Sequence, residues 1–117
     1  MRYWKSLVAV PVALCAAVVS GQAALDEHGE VAGVGDFDAQ AEQTFRNLSR
    51  VLEAGGSSLD RVVKVTIFLT DMTNFGKIVE LRRTWFTPPY PADTIVEVRA
   101  LALPQLEIEI EATAVAG

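Results

Sequence analysis

The chain has 117 residues, half of them hydrophobic and 21% charged. That is the balance of one globular domain large enough for its own core, with too little polar sequence for long disorder. Fifteen acidic against ten basic side chains leave a net charge of −5, and the only adjacent basic pair is Arg82-Arg83. Nucleic acid, which requires a clustered cationic face, is not an expected partner. A single cysteine, Cys15, and a single histidine, His28, exclude an internal disulfide and the usual Cys/His zinc sets, so no metal site is expected.

Arg2 and Lys5 precede an uncharged apolar run from Leu7 to Val19, and Ser20-Gly21-Gln22-Ala23-Ala24 follows it with small residues. Such a run is too short for a transmembrane helix, which needs about 20 residues, and no membrane partner is expected. As a leader it reads as a secretory signal with a cleavage point near Gln22. As part of the domain it reads as a strand pair, because Pro11 interrupts it and its end enters a turn. Composition leaves both readings open.

Asp26 to Glu30 is a charged cluster around Gly29 that predicts a turn between two short extended pieces, with His28 as a solvated turn residue. Asp36 to Ala54 then predicts a helix. Ala41, Phe45, Leu48 and Leu52 form one apolar stripe, Asp36 and Asp38 sit at the positive end, and Gly55-Gly56 stops it. Asn47-Leu48-Ser49 matches a glycosylation acceptor, but its place on a helix makes the match fortuitous.

The stretch from Ser57 to Asp71 predicts a strand with Val63, Val65, Ile67 and Leu69 on one face and Lys64, Thr66, Phe68 and Thr70 on the other. A second helix is expected after a Thr73 cap, with Phe75, Ile78, Val79, Trp85 and Phe86 forming its apolar side. Three prolines in Phe86–Ala92 then lead into two more strands, Thr94–Ala100 and Leu106–Val115. The last alternates strictly. Leu106, Ile108, Ile110 and Ala112 face one way; Glu107, Glu109, Glu111 and Thr113 face the other, on either a solvated outer surface or a wet cleft. Extended pieces, helix, strand, helix, strand, strand make an α+β domain with a mixed sheet and two helices on one face. Glycines in Val31–Phe37 lack the setting for dinucleotide binding, and no Ser/His/Asp order or phosphate loop is present.

Ser20-Gly21-Gln22, the block from Gly35 to Met72, the aromatic end of the second helix, Tyr90-Pro91-Ala92 with Val96-Glu97-Val98, and Glu109 to Val115 together resemble the Rid family of reactive-intermediate (enamine/imine) deaminases, also labelled endoribonuclease L-PSP. The resemblance is collinear from about Ser20 to Val115. It implies one chorismate-mutase-like domain over residues 1–117, assembled as a homotrimer with small-molecule clefts between subunits and no cofactor. It also implies that residues ahead of Ser20 form a sheet strand, which favours an uncleaved, cytoplasmic protein over a secreted one. The family's usual N-terminal tyrosine stretch is replaced here, and Tyr3 is not aligned with the family's pocket tyrosine.

The resemblance assigns Glu109 as the carboxylate that positions the attacking water, Gly21 and the Ile95 backbone amide as cleft lining, and positions 79 and 93 as substrate contacts. Deaminase members carry an asparagine and a carboxylate-gripping arginine at those two positions; this chain has Val79 and Asp93. A carboxylate at 93 repels the carboxylate an arginine would hold. The expected function is therefore small-molecule binding without the usual 2-imino acid deaminase activity. The alternative is hydrolysis of a different imine or enamine, neutral or cationic, with Glu109 orienting water.

Overall fold

The computed structural model describes residues 10–12 and 16–117. Arg2, Tyr3, Lys5 and Cys15 lie outside the described residues, as do positions 7–9 and 13–14 of the apolar run. The remainder of that run is extended. Strand β1 (Val10–Val12) pairs antiparallel with β2 (Ala16–Ala23), Val10 opposite Val18. Pro11 is tolerated because β1 is an edge strand, where a missing N–H breaks no inner ladder.

Past the Asp26–Glu30 turn, helix α1 spans Phe37–Ala54, capped by the Asp36 carboxylate on the Ala39 N–H and closed at Gly55. Strand β3 (Val62–Leu69), helix α2 (Phe75–Trp85), strand β4 (Ala92–Glu97) and strand β5 (Ile108–Val115) follow. The sheet order is β1-β2-β5-β3-β4, with β3 and β4 parallel and the other pairs antiparallel. Both helices lie over one face, so a single core forms between them and that face. Ala41, Phe45, Leu48 and Leu52 from α1 are fully buried, as are Ile108 and Ile110 from β5, while Ile78 and Phe86 close the core from α2 and its end. Phe45 is the centre of this packing. Its ring stacks on Trp85 at 5.4 Å and meets Phe86 edge-on at 5.9 Å.

Several expected details change. Val63 is 50% exposed and Val62 takes its place inside, because Val62 faces Ala114 while Lys64 faces Thr113. One residue of β3 is extra there, and such a bulge reverses the inward face for everything before it. Strand β4 begins at Ala92 and ends at Glu97 rather than running from Thr94 to Ala100, and β5 begins at Ile108, with Leu106 buried ahead of it. Thr73 does not cap α2. It sits in a short 3-10 turn whose own cap, Asp71, accepts from the Thr73 N–H and hydroxyl, and this leaves Phe75 at the helix start 47% exposed.

Two polar residues within α1 anchor the sheet to the helix. Gln40, fully buried, donates to the Gln105 carbonyl at 2.7 Å and accepts from the Glu107 N–H at 2.9 Å. Asn47 donates to the Ala23 and Leu25 carbonyls, each at 2.8 Å. Its amide nitrogen is committed to the backbone, in keeping with a fortuitous glycosylation match. His28 is exposed in the turn beside Glu27, as expected of a solvated residue.

Replacing Phe45 by alanine removes the ring that joins both helices to the sheet. The expected loss is about 3–5 kcal/mol, measured as a lower denaturant midpoint in equilibrium unfolding with the slope unchanged.

Candidate functional site

Glu109 is the second residue of β5, with Phe68 of β3 on one side and Ala23 of β2 on the other. Its neighbours in the strand, Ile108 and Ile110, are buried under the helices, so alternation turns Glu109 to the face the helices leave open. On that face lie Lys64, Thr66, Glu111 and Thr113, with the Lys64 ammonium donating to Thr94 Oγ1 at 2.8 Å. A small recess there is lined by Val18, Ser20, Lys64, Thr66, Glu111 and Thr113.

Gly21 leaves room for the Glu109 side chain. In β2, Val19 pairs with Ala112 and Gln22 with Ile110, so three steps on β2 match two on β5 and one residue is extra. The bulge brings the Gly21 backbone against the Glu109 side chain. A Cβ on Gly21 would stand 2.8 Å from Glu109 Cδ and closer still to Oε2. Only glycine lets the carboxylate lie there.

The Glu109 carboxyl is pushed above its ordinary value, first by burial, which disfavours the charged form, and then by the negative charge of Glu111. Among the described residues no group of three or more His, Cys, Asp or Glu side chains could hold a metal ion.

The other expected site residues lie on the opposite side of the sheet. Asp93 pairs in register with Val65 and Ile95 with Ile67, both inward-facing positions of β3, so these two side chains point toward the helices. Ile95 packs against the core. Asp93 meets Arg82 from the last turn of α2, with Nη1 at 3.1 Å from Oδ2. Val79 is partly buried one turn earlier on α2, a neighbour of Arg82 and Arg83 on the helix surface. Strand β4 is the sheet's second edge, so half of its backbone groups face away from β3.

The structure thus brings Gly21 to Glu109, and groups Asp93, Ile95 and Val79 elsewhere. A further cleft, of about 440 Å³, opens between the proline loop and the start of β3, lined among others by Arg61, Val63, Pro89, Tyr90 and Val115. None of the five expected site residues lines it. In the sequence Arg82 is half of a basic pair. Its reach to Asp93 depends on how α2 crosses the β4 edge.

Comparison with known proteins accords with this architecture. Residues 8–116 match the model of the family described as endoribonuclease L-PSP. The chain belongs to that family. It is 37% identical over 99 residues to the mouse protein named 2-iminobutanoate/2-iminopropanoate deaminase, covering 85% of this chain and 73% of the relative. It is 41% identical over 97 residues to a RutC family protein of Pyrococcus horikoshii, covering 82% and 75%. Among solved structures, RidA from an Antarctic Psychrobacter superposes with a TM-score of 0.84 at 38% identity, over 92% of this chain and 85% of that one. The Escherichia coli YjgF product gives 0.80 at 32%, over 92% and 84%. The fold is the chorismate-mutase-like α+β fold of these proteins. No helix among the described residues is long and apolar enough to cross a membrane.

Because the fold favours protonated Glu109, its contribution to stability is complete below the ordinary value of 4.5 and is lost as the pH rises through the raised one. Glu109→Gln removes a charge that the fold disfavours. The variant is expected to melt a few degrees higher than the parent at pH 7, the difference vanishing below about pH 4 in thermal scans.

Proposed function

We propose that the chain is a small-molecule-binding member of its family whose clefts lie between subunits of a homotrimer, and that it lacks the activity on 2-iminobutanoate and 2-iminopropanoate for which its mouse relative is named. The observation that carries the second half is the Arg82–Asp93 ion pair at 3.1 Å. Both named compounds are carboxylates. The cation nearest to position 93 is already engaged by a carboxylate, so a second one gains little from it.

The intersubunit site is supported by the placement of Glu109 and Asp93 on opposite faces of one sheet. One small ligand reaches both only when a second copy lays its β4 edge and α2 against the open face of the first. Exposed Val18, Val63, Tyr90 and Val115, on or beside the sheet, are the kind of surface such an assembly covers. The position of Ala16–Ala23 inside the sheet supports an uncleaved, cytoplasmic protein, since cleavage near Gln22 would strip β5 of one of its two partners.

A second reading, hydrolysis of a neutral imine or enamine, is favoured by one observation, the half-buried Glu109 carboxyl seated on Gly21 with its proton affinity raised. In that reaction water adds to the carbon of the C=N bond. Glu109 orients the water, takes one of its protons and delivers it to the nitrogen. The carbinolamine then collapses to a carbonyl and ammonia, and an enamine first becomes the imine by protonation at carbon. Neither metal nor organic cofactor is called for, because the imine carbon already accepts water readily. A cationic imine is disfavoured, since Arg82 has taken up the charge of Asp93.

Light scattering coupled to size exclusion is expected to give three times the chain mass; a stable monomer at micromolar concentration overturns the intersubunit site. For the chemistry, 2-iminobutanoate is generated in situ by a deaminating enzyme and its hydrolysis compared with and without the protein. The expected result is little acceleration, at least a hundredfold below that of a relative assayed alongside. Robust activity abolished by Glu109→Gln would show that the chain handles carboxylate imines after all.

A further inference from the structure

Arg82 and Asp93 form a pair with a definite outward face. The Arg82 side chain is 35% exposed and that of Asp93 19%. Arg82 Nε and Asp93 Oδ2 are both buried and make no hydrogen bond among the described residues. The exposure therefore falls on the other atoms of the two side chains, the outer edge of the guanidinium and Asp93 Oδ1 among them. The guanidinium is also braced from the side by Tyr90, whose ring centroid is 5.4 Å from Cζ. At the β4 edge the protein presents a fixed N–H donor beside a fixed oxygen acceptor, with no net charge.

Three kinds of ligand group meet this pair differently. A carboxylate that accepts from the guanidinium brings its second oxygen toward Asp93 Oδ1, where two negative acceptors face each other with no proton between them. An ammonium that donates to Oδ1 stands against the guanidinium. A carboxamide or ureido group matches both partners at once, its carbonyl accepting from an Arg82 Nη–H and its N–H donating to Oδ1, and it leaves the ion pair intact. We infer that the Arg82–Asp93 pair is the specificity element of the intersubunit site, receiving a carboxamide or ureido group of the ligand and turning away free carboxylates. This inference rests on the site reading above and adds the chemical class of the ligand's polar end. Val79 beside it is consistent with a small neutral group, since it offers no competing charge or hydrogen bond.

The test uses a matched pair of stable carbonyl compounds, 2-oxobutanamide and 2-oxobutanoate, titrated into the intact protein by calorimetry and by backbone amide NMR. The parent is expected to bind the amide at least tenfold more tightly than the acid. Asp93→Asn removes the repulsion and frees the guanidinium, so the preference should fall to near unity or reverse. Arg82→Gln should weaken amide binding at least tenfold. The double variant Arg82→Gln/Asp93→Asn removes both charges together, leaves no buried unpaired ion, and should bind neither compound selectively while melting close to the parent. Equal or tighter binding of the acid by the parent overturns the inference, as does an unchanged preference in Asp93→Asn. In those cases, shifts at Gly21 and Glu109 on titration would leave the site reading standing. Binding that leaves Gly21 and Glu109 unshifted, or no binding of either compound, overturns both.

Discussion

A strand paired on both sides can send its side chains in only two directions, and β5 is such a strand. Its inward residues, Ile108, Ile110, Ala112 and Ala114, are buried under helices that have no other surface to cover. That burial commits Glu109 and Glu111 to the opposite face with no freedom left to the side chains themselves. The price of this arrangement is a half-buried carboxylate beside a like charge. Proteins tolerate such a cost where the group has work to do, and the cost is recoverable by substitution, often with loss of function.

Two breaks in the period of two shape the remainder. The extra residue in β2 carries Gly21 against Glu109, and the extra residue in β3 turns Val63 outward beside the proline loop. Both lie where a bulge bends a strand and redirects a side chain. The first shapes the candidate site. The second leaves an apolar side chain at the margin of an open cleft that also exposes Tyr90 and Val115. The open face and the β4 edge are thus the surfaces on which the proposed intersubunit site depends.

The Arg82–Asp93 pair gives the substitution at position 93 a physical meaning beyond loss. An aspartate alone would only repel a carboxylate. Set beside an arginine from α2, it forms a neutral, dipolar pair, with a donor next to an acceptor. Tyr90 in the proline loop and Arg82 at the end of α2 meet there through a ring contact. The end of α2, the proline loop and the start of β4, neighbours along the chain, therefore meet at one corner of the fold.

Much of this was legible in the residues alone. The α1 stripe, the strict alternation of β5, the stop at Gly55-Gly56 and the turn at Asp26–Glu30 are local patterns, each fixed by a period or a backbone preference within a few residues. The family followed from ordered blocks, and with it the choice of Gly21 and Glu109. Their contact was not legible, because it depends on a register shift between strands almost ninety positions apart. Nor was the reversal at Val63, since a bulge is a property of a strand pair and not of a strand. Gln40 and Asn47 look like polar residues on an exposed helix face until the backbone they bind is folded beside them. Asp93 stood out in the sequence, but its charge could be judged only with Arg82 in view. Local periodicity determined which elements form and which faces are apolar; pairing between distant strands, and the crossing of α2 over β4, decided which polar groups meet, because those meetings depend on distances that no local pattern encodes.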